Sequence, residues 1–125
     1  MGDMSVRAVL GLAGEQAAAR YLKRHGFRIV DQRWSCRFGE VDLVVEKDNQ
    51  VVFVEVKTRT SNSFGGGVAA VGFRKSARLR ATAYSYLQAK GLIGCPFRID
   101  VVVVEPAGFG RFRISHLPSV VGEED

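Results

Sequence analysis

The chain has 125 residues, of which 46% are hydrophobic and 25% charged, a length that supports one ordinary domain core rather than two. No apolar run approaches the roughly 20 residues of a membrane-spanning helix, which excludes a helical membrane protein. Eighteen Lys and Arg against thirteen Asp and Glu give a net charge of +5 and a pI near 9.6, a balance that favours a polyanionic partner, nucleic acid first.

In chain order, residues from about Val6 to His25 carry Leu10, Ala13, Ala17 and Tyr21 at helical spacing, and Gly26 supplies the stop. Phe27 to Arg33 reads as a first strand. Val41 to Glu46 and Val51 to Thr58 alternate as two more, joined by Lys47-Asp48-Asn49-Gln50, whose Asp-Asn pair suits a tight hairpin. Ser61 to Gly67 is a polar, glycine-rich loop. Gly72 to Lys90 reads as a second helix, with Phe73, Ala77, Ala81 and Tyr84 on one face and Gly91 as its stop. Phe97 to Val104 and Phe109 to His116 complete the set. The expected fold is a single α/β domain in the order α-β-β-β-α-β-β, a mixed central sheet flanked by helices, with an ordered core over about 6–116 and a tail over 117–125. Cys36 and Cys95 have no CxxC partner and no His at zinc-ligand spacing, so two reduced structural thiols are expected. The stretch Val9–Ala13 is too short for a signal core and Glu15 soon interrupts it, so a cytoplasmic location is expected.

The hairpin carries the chemistry. If Asp48-Asn49 closes it, Lys47 faces Gln50, Asp42 falls opposite Glu55, and Glu40 falls opposite Lys57. The same register sets Val41, Leu43 and Val45 against Val56, Val54 and Val52 as one apolar face, the condition that normally fixes register. On the other face, two carboxylates directly opposite would have Cβ atoms about 4.5–5.5 Å apart, a destabilising arrangement. Glu55 and Lys57 share that face with Val51 and Phe53, so it is at least half covered. Lys57 offsets part of the repulsion, but a hard divalent cation fits better, since Mg²⁺ is usually held by one or two carboxylates with waters and phosphate oxygens. Metal-assisted phosphodiester chemistry follows from that donor set. The bland alternative is a surface hairpin whose charges simply face solvent.

The runs Gly39-Glu40-Val41-Asp42 and Val54-Glu55-Val56-Lys57-Thr58-Arg59 resemble the PD-(D/E)xK nuclease signature. With Gly14-Glu15 and Tyr21-Leu22 on the first helix, Phe64-Gly65, Lys75 and Arg98–Val102, the chain from about Gly11 to Ser115 resembles the YraN family. That resemblance implies a restriction-endonuclease-like fold related to Holliday-junction resolvases. It implies further that Asp42 and Glu55 bind Mg²⁺ (or Mn²⁺), that the Val56 carbonyl is a further oxygen ligand, and that Lys57 is the catalytic lysine. Glu15 would be the helix-borne acid that reaches the site, although by pattern alone it reads as a surface Glu favoured by the helix dipole. Val41 stands where the signature's name would place proline. Glu40 is expected to orient Lys57 through a salt bridge, with a role as an additional metal ligand as the alternative.

Phosphate contacts are expected from Arg33, Arg37, Arg59, Arg74, Lys75 and Arg78, each of which alone would read as a solvated charge. Trp34 and Phe38 are candidates for base stacking, with core packing the competing role. The expected activity is a metal-dependent nuclease acting on nucleic acid, DNA before RNA, with branched junctions among the candidate substrates. Two other readings stand beside it: a non-catalytic nucleic-acid-binding module on the same fold, and a partner-binding domain that forms a homodimer through a strand edge.

Overall fold

A computed structural model describes residues 6–59 and 73–121. Two helices and five strands follow one another as α1 (Val6–Arg24), β1 (Arg28–Cys36), β2 (Gly39–Lys47), β3 (Gln50–Thr58), α2 (Phe73–Ala89), β4 (Phe97–Gly108) and β5 (Arg111–Val121). The strands form one sheet in the order β1-β2-β3-β4-β5. Three of its pairings are antiparallel, and β3–β4 is parallel, with α2 lying in the connection between them. The architecture is therefore α/β with a mixed sheet, in the expected element order. Among the described residues no helix is long and apolar enough to cross a membrane.

Both faces of the sheet are covered, which is why its central strands read as near-continuous Val, Leu, Ile and Phe. On one face Ala17, Ala18 and Leu22 of α1 pack on Leu43, Val45, Val52, Val54, Val102 and Val104. On the other, Leu79, Ala83, Tyr86 and Leu87 of α2 pack on Val44, Val51, Phe53 and Ile99. The buried stripe of α2 is rotated from the expected one: Ala77 is exposed, and so is Tyr84 at 44%. Two apolar stripes compete along this helix, and the one with Leu79, Tyr86 and Leu87 offers more apolar area to the sheet.

Element ends follow local chemistry. Gly26, at φ 87°, ends α1, with Phe27 N–H donating to the Leu22 carbonyl at 3.0 Å and Gly26 N–H to Lys23 at 3.1 Å, the bonding pattern of a Schellman stop. Asp48 and Asn49 sit at φ 53° and 63° between the partners Lys47 and Gln50, so the tight hairpin forms as expected, in the primed-turn geometry that matches strand twist. β5 runs to Val121 rather than ending at His116, because Asp100 anchors its last turn. That carboxylate is fully buried, accepts from Arg98 Nε at 3.0 Å and from the Ser119 backbone N–H at 2.9 Å, and lies 2.7 Å from His116 Nε2. Cys36 and Cys95 are both free thiols.

Candidate functional site

The expected register holds from Lys47↔Gln50 to Leu43↔Val54 and then stops. Asp42 and Glu55 are not ladder partners; instead Asp42 Oδ2 accepts the backbone N–H of Val56 at 2.7 Å, filling the place a strand carbonyl would take. The neighbouring strand is disturbed at the same level, where Arg33 adopts φ 52° between the paired residues Gln32↔Leu43 and Trp34↔Val41. Beyond this point β2 presents its other side. Val41 packs with the α2 core while Leu43 packs with the α1 core, although only two residues separate them. The expectation that Val41, Leu43 and Val45 share one face is thus corrected: the apolar face is continuous for Leu43 and Val45 and turns over at Asp42.

This break holds a carboxylate in a half-buried gap between two strands. Burial is the largest influence on it and the charge of Glu55 the next, and together they push the Asp42 carboxyl up to about 7, against the lowering effect of the Val56 N–H. Glu15 and Glu40 add smaller raising effects, so four acids from α1, β2 and β3 share one electrostatic neighbourhood. Glu55 is largely covered, its side chain 13% exposed, and lies 3.6 Å from Lys57 Nζ on its own strand. The β2–β3 ladder ends before the level at which Glu40 would face Lys57.

Glu15 enters from the opposite face. It lies in the middle of α1, and the first turn of that helix has no acid, so the helix dipole does not account for it. Its carboxylate bonds Arg33 Nε at 3.0 Å, and this pair bridges α1 to the distorted point of β1. Gly14 is the reason α1 can come so close: a Cβ there would collide with the Thr58 side chain at the end of β3. Only a residue without a side chain permits this approach. The Gly14–Thr58 contact is invisible at the level of sequence, since the two residues are 44 positions apart.

Of the expected phosphate-binding residues, the side chains of Arg33, Arg37, Arg59 and Arg78 are described. Arg33 is committed to Glu15, and Arg37 lies over the exposed ring of Phe38 at 4.7 Å. Arg59 directly follows β3 and is tied to β4 through its N–H bond to Val104. Arg78 is exposed on α2; the side chains of Arg74 and Lys75 lie outside the described residues, as do Ser61 to Gly67 and the Phe64-Gly65 pair. Trp34 is partly buried and packs edge-on against Tyr86 at the margin of the α2 core, in line with the core-packing role. Arg33 lines a cleft beside Glu15 together with Arg20 and Lys23, and Arg20 also lines a second cleft with Arg24 and Arg111.

Among the described residues no group of three or more His, Cys, Asp or Glu side chains is placed to hold a metal ion. A hard cation of the Mg²⁺ type needs fewer protein ligands, because waters and substrate oxygens complete its shell. The donor set around Asp42 suits such an ion in kind: all-oxygen, net anionic and partly screened from solvent.

A family model described as Uncharacterised protein family UPF0102 matches residues 14–104. The chain belongs to the UPF0102 (YraN) family. It is 43% identical over 112 residues to a UPF0102 protein of Myxococcus xanthus, covering 90% of this chain and 88% of that one. It is 46% identical over 111 residues to a UPF0102 protein of Pelotomaculum thermopropionicum, with coverage of 88% and 92%. A third UPF0102 protein, from an Arthrobacter species, is 41% identical over 117 residues, 94% of this chain and 99% of its own length. The matched segment of the family begins at Gly14 and runs through Asp42, Glu55 and Lys57, so it contains every acid of the site.

Proposed function

We propose that this member of UPF0102 is a metal-dependent nuclease of the restriction-endonuclease-like class that hydrolyses phosphodiester bonds in nucleic acid, DNA before RNA. The observation that carries the reading is Asp42: a carboxylate lodged in a strand gap and pushed up by burial and by Glu55, which in turn pairs with Lys57. Structural charge pairs lower a carboxyl, whereas crowded acids raise it and create a site that a cation relieves. Asp42 and Glu55 would hold Mg²⁺ or Mn²⁺ with the Val56 carbonyl, and the ion would supply Lewis-acid polarisation of phosphate and water. Lys57 neutralises charge that develops on the phosphate oxygens and orients the attacking water. The Val56 N–H fixes one Asp42 oxygen, Oδ2. Glu15, clamped by Arg33, adds negative charge from the α1 side and positions the ligands.

The test is cleavage of branched, single-stranded and duplex DNA with Mg²⁺ or Mn²⁺, comparing wild type with Asp42→Asn and Lys57→Ala. Wild type should cut only with metal. Each variant should lose at least about a hundredfold in rate, the scale of losing a preorganised charge at a reacting centre. Equal cutting by Asp42→Asn and wild type would refute the assignment. Metal-independent binding with no cutting by wild type would favour a non-catalytic nucleic-acid-binding module on the same site.

A further inference from the structure

β4 pairs with β3 only as far as Val104, yet it continues to Gly108 and turns into β5 at Arg111, so the last part of this hairpin extends beyond its third strand. Its tip is Gly108-Phe109-Gly110. Phe109 is fully exposed at 103%, the most exposed of the large hydrophobic side chains among the described residues. Leaving a phenyl ring wholly in water forfeits its burial energy, and this ring sits on the turn two residues before Arg111. The base of the hairpin is anchored, since Phe112 and Ile114 pack against the α1-side core, while Arg111 and Arg113 alternate with them and are exposed.

Between this hairpin and α1 lies a cleft of about 420 Å³, lined by Arg20, Tyr21, Arg24, Arg111 and Phe112 among others. No carboxylate is among its lining residues, and none of its three arginines forms an ion pair with a described residue. Arg20 also lines a second cleft, about 540 Å³, on the other side of α1, together with Glu15, Lys23 and Arg33. A basic surface therefore crosses α1 from the carboxylate site to the hairpin.

We infer that this α1–hairpin cleft is a binding site for single-stranded nucleic acid, in which Arg20, Arg24 and Arg111 take backbone phosphates and Phe109 stacks on an unpaired base. The combination of a cationic groove with an exposed aromatic ring is what sequence-tolerant single-strand binding requires. Paired bases hide their faces in a duplex, so the ring selects substrates with unpaired nucleotides. The inference rests on the nuclease reading for its purpose, as the means by which a single-stranded arm reaches the Asp42 site, but binding can be measured without turnover.

The experiment is fluorescence anisotropy of the full chain in EDTA with a labelled 20-nucleotide single strand and a blunt duplex of the same sequence, across a salt series. Phe109→Ala, at a position with no packing role, should weaken single-strand binding about tenfold and leave duplex binding and the salt dependence unchanged. Arg24→Ala with Arg111→Ala should reduce the slope of log affinity against log salt by about 1.4, two phosphate contacts at about 0.7 each for a single strand. Unchanged single-strand affinity in Phe109→Ala would overturn the inference, as would an equal loss on duplex. Preferential binding of an acidic peptide over the oligonucleotide would overturn it too. If wild type cuts no substrate but the Phe109 effect appears, the nuclease reading fails and this one stands; cutting without the Phe109 effect gives the reverse.

Discussion

Replacing Asp42 by asparagine removes a charge while keeping an oxygen to accept the Val56 N–H, so it isolates the electrostatic cost of the gap between β2 and β3. The carboxyl is pushed from 3.8 up to about 7, by burial first and by Glu55 second. The folded state therefore holds its proton more tightly than the unfolded chain does. The stabilisation from that proton is fully present below about pH 4 and is lost as pH rises to about 7, a total of about 4 kcal/mol at 1.36 kcal/mol per unit. About 2.5 kcal/mol of it should fall between pH 5 and pH 8. Asparagine carries no such dependence. In urea denaturation with EDTA, Asp42→Asn should therefore be more stable than wild type at pH 8, by about 3 kcal/mol after about 1 kcal/mol is deducted for the weaker neutral hydrogen bond. The difference should shrink to near zero at pH 5. Mg²⁺ at pH 8 should raise the stability of wild type by about 2.7 kcal/mol at a hundredfold excess over its dissociation constant, and that of the variant by nothing. A wild-type-to-variant difference that is the same at pH 5 and pH 8 would refute the electrostatic argument, whatever the nuclease assays show.

Two further substitutions examine the framework that holds the site. Gly14→Ala would press a methyl group into Thr58, so α1 must shift; a loss of about 1–3 kcal/mol is expected in urea melts, larger than the small gain alanine brings to an open helix position. Thr58→Ser in the same chain should recover little, since the hydroxyl is the nearest atom, whereas Thr58→Ala should recover most of the loss. Asp100→Ala would leave Arg98 and His116 without their shared buried acceptor and release the Ser119 N–H, for a cost of about 3 kcal/mol. Amide exchange should then rise at the C-terminal half of β5 before it rises in β2 and β3; uniform protection would show that the anchor is not local.

The central hairpin was legible in the residues because its chemistry is local. Asp48 and Asn49 accept positive φ, and the alternation from Leu43 to Val54 admits one register. The pairing of carboxylates across that hairpin was legible only in outline. Asp42 and Glu55 do come into the same electrostatic neighbourhood, but through a broken ladder that no pattern of apolar residues announces. The break coincides with a positive φ at Arg33 in the adjoining strand and with Val56 giving its N–H to the Asp42 side chain, a contact between residues on different strands. Phe109 departs from the expected strand for a related reason. As an apolar residue beside a run of alternating ones it resembles a strand start, whereas the glycines on either side make it the tip of a turn.

Periodicity, turn chemistry and charge thus account for the number and order of the elements and for Asp42, Glu55 and Lys57 as the residues of interest. The packing of the chain accounts for the rest: which stripe of α2 is buried, where β2 turns over, how closely Gly14 lets α1 approach Thr58, and which arginines line a cleft. The division has a physical basis. Backbone preferences act over a few residues and leave a trace in the order of side chains, while burial and electrostatic crowding depend on which surfaces meet once the sheet has formed.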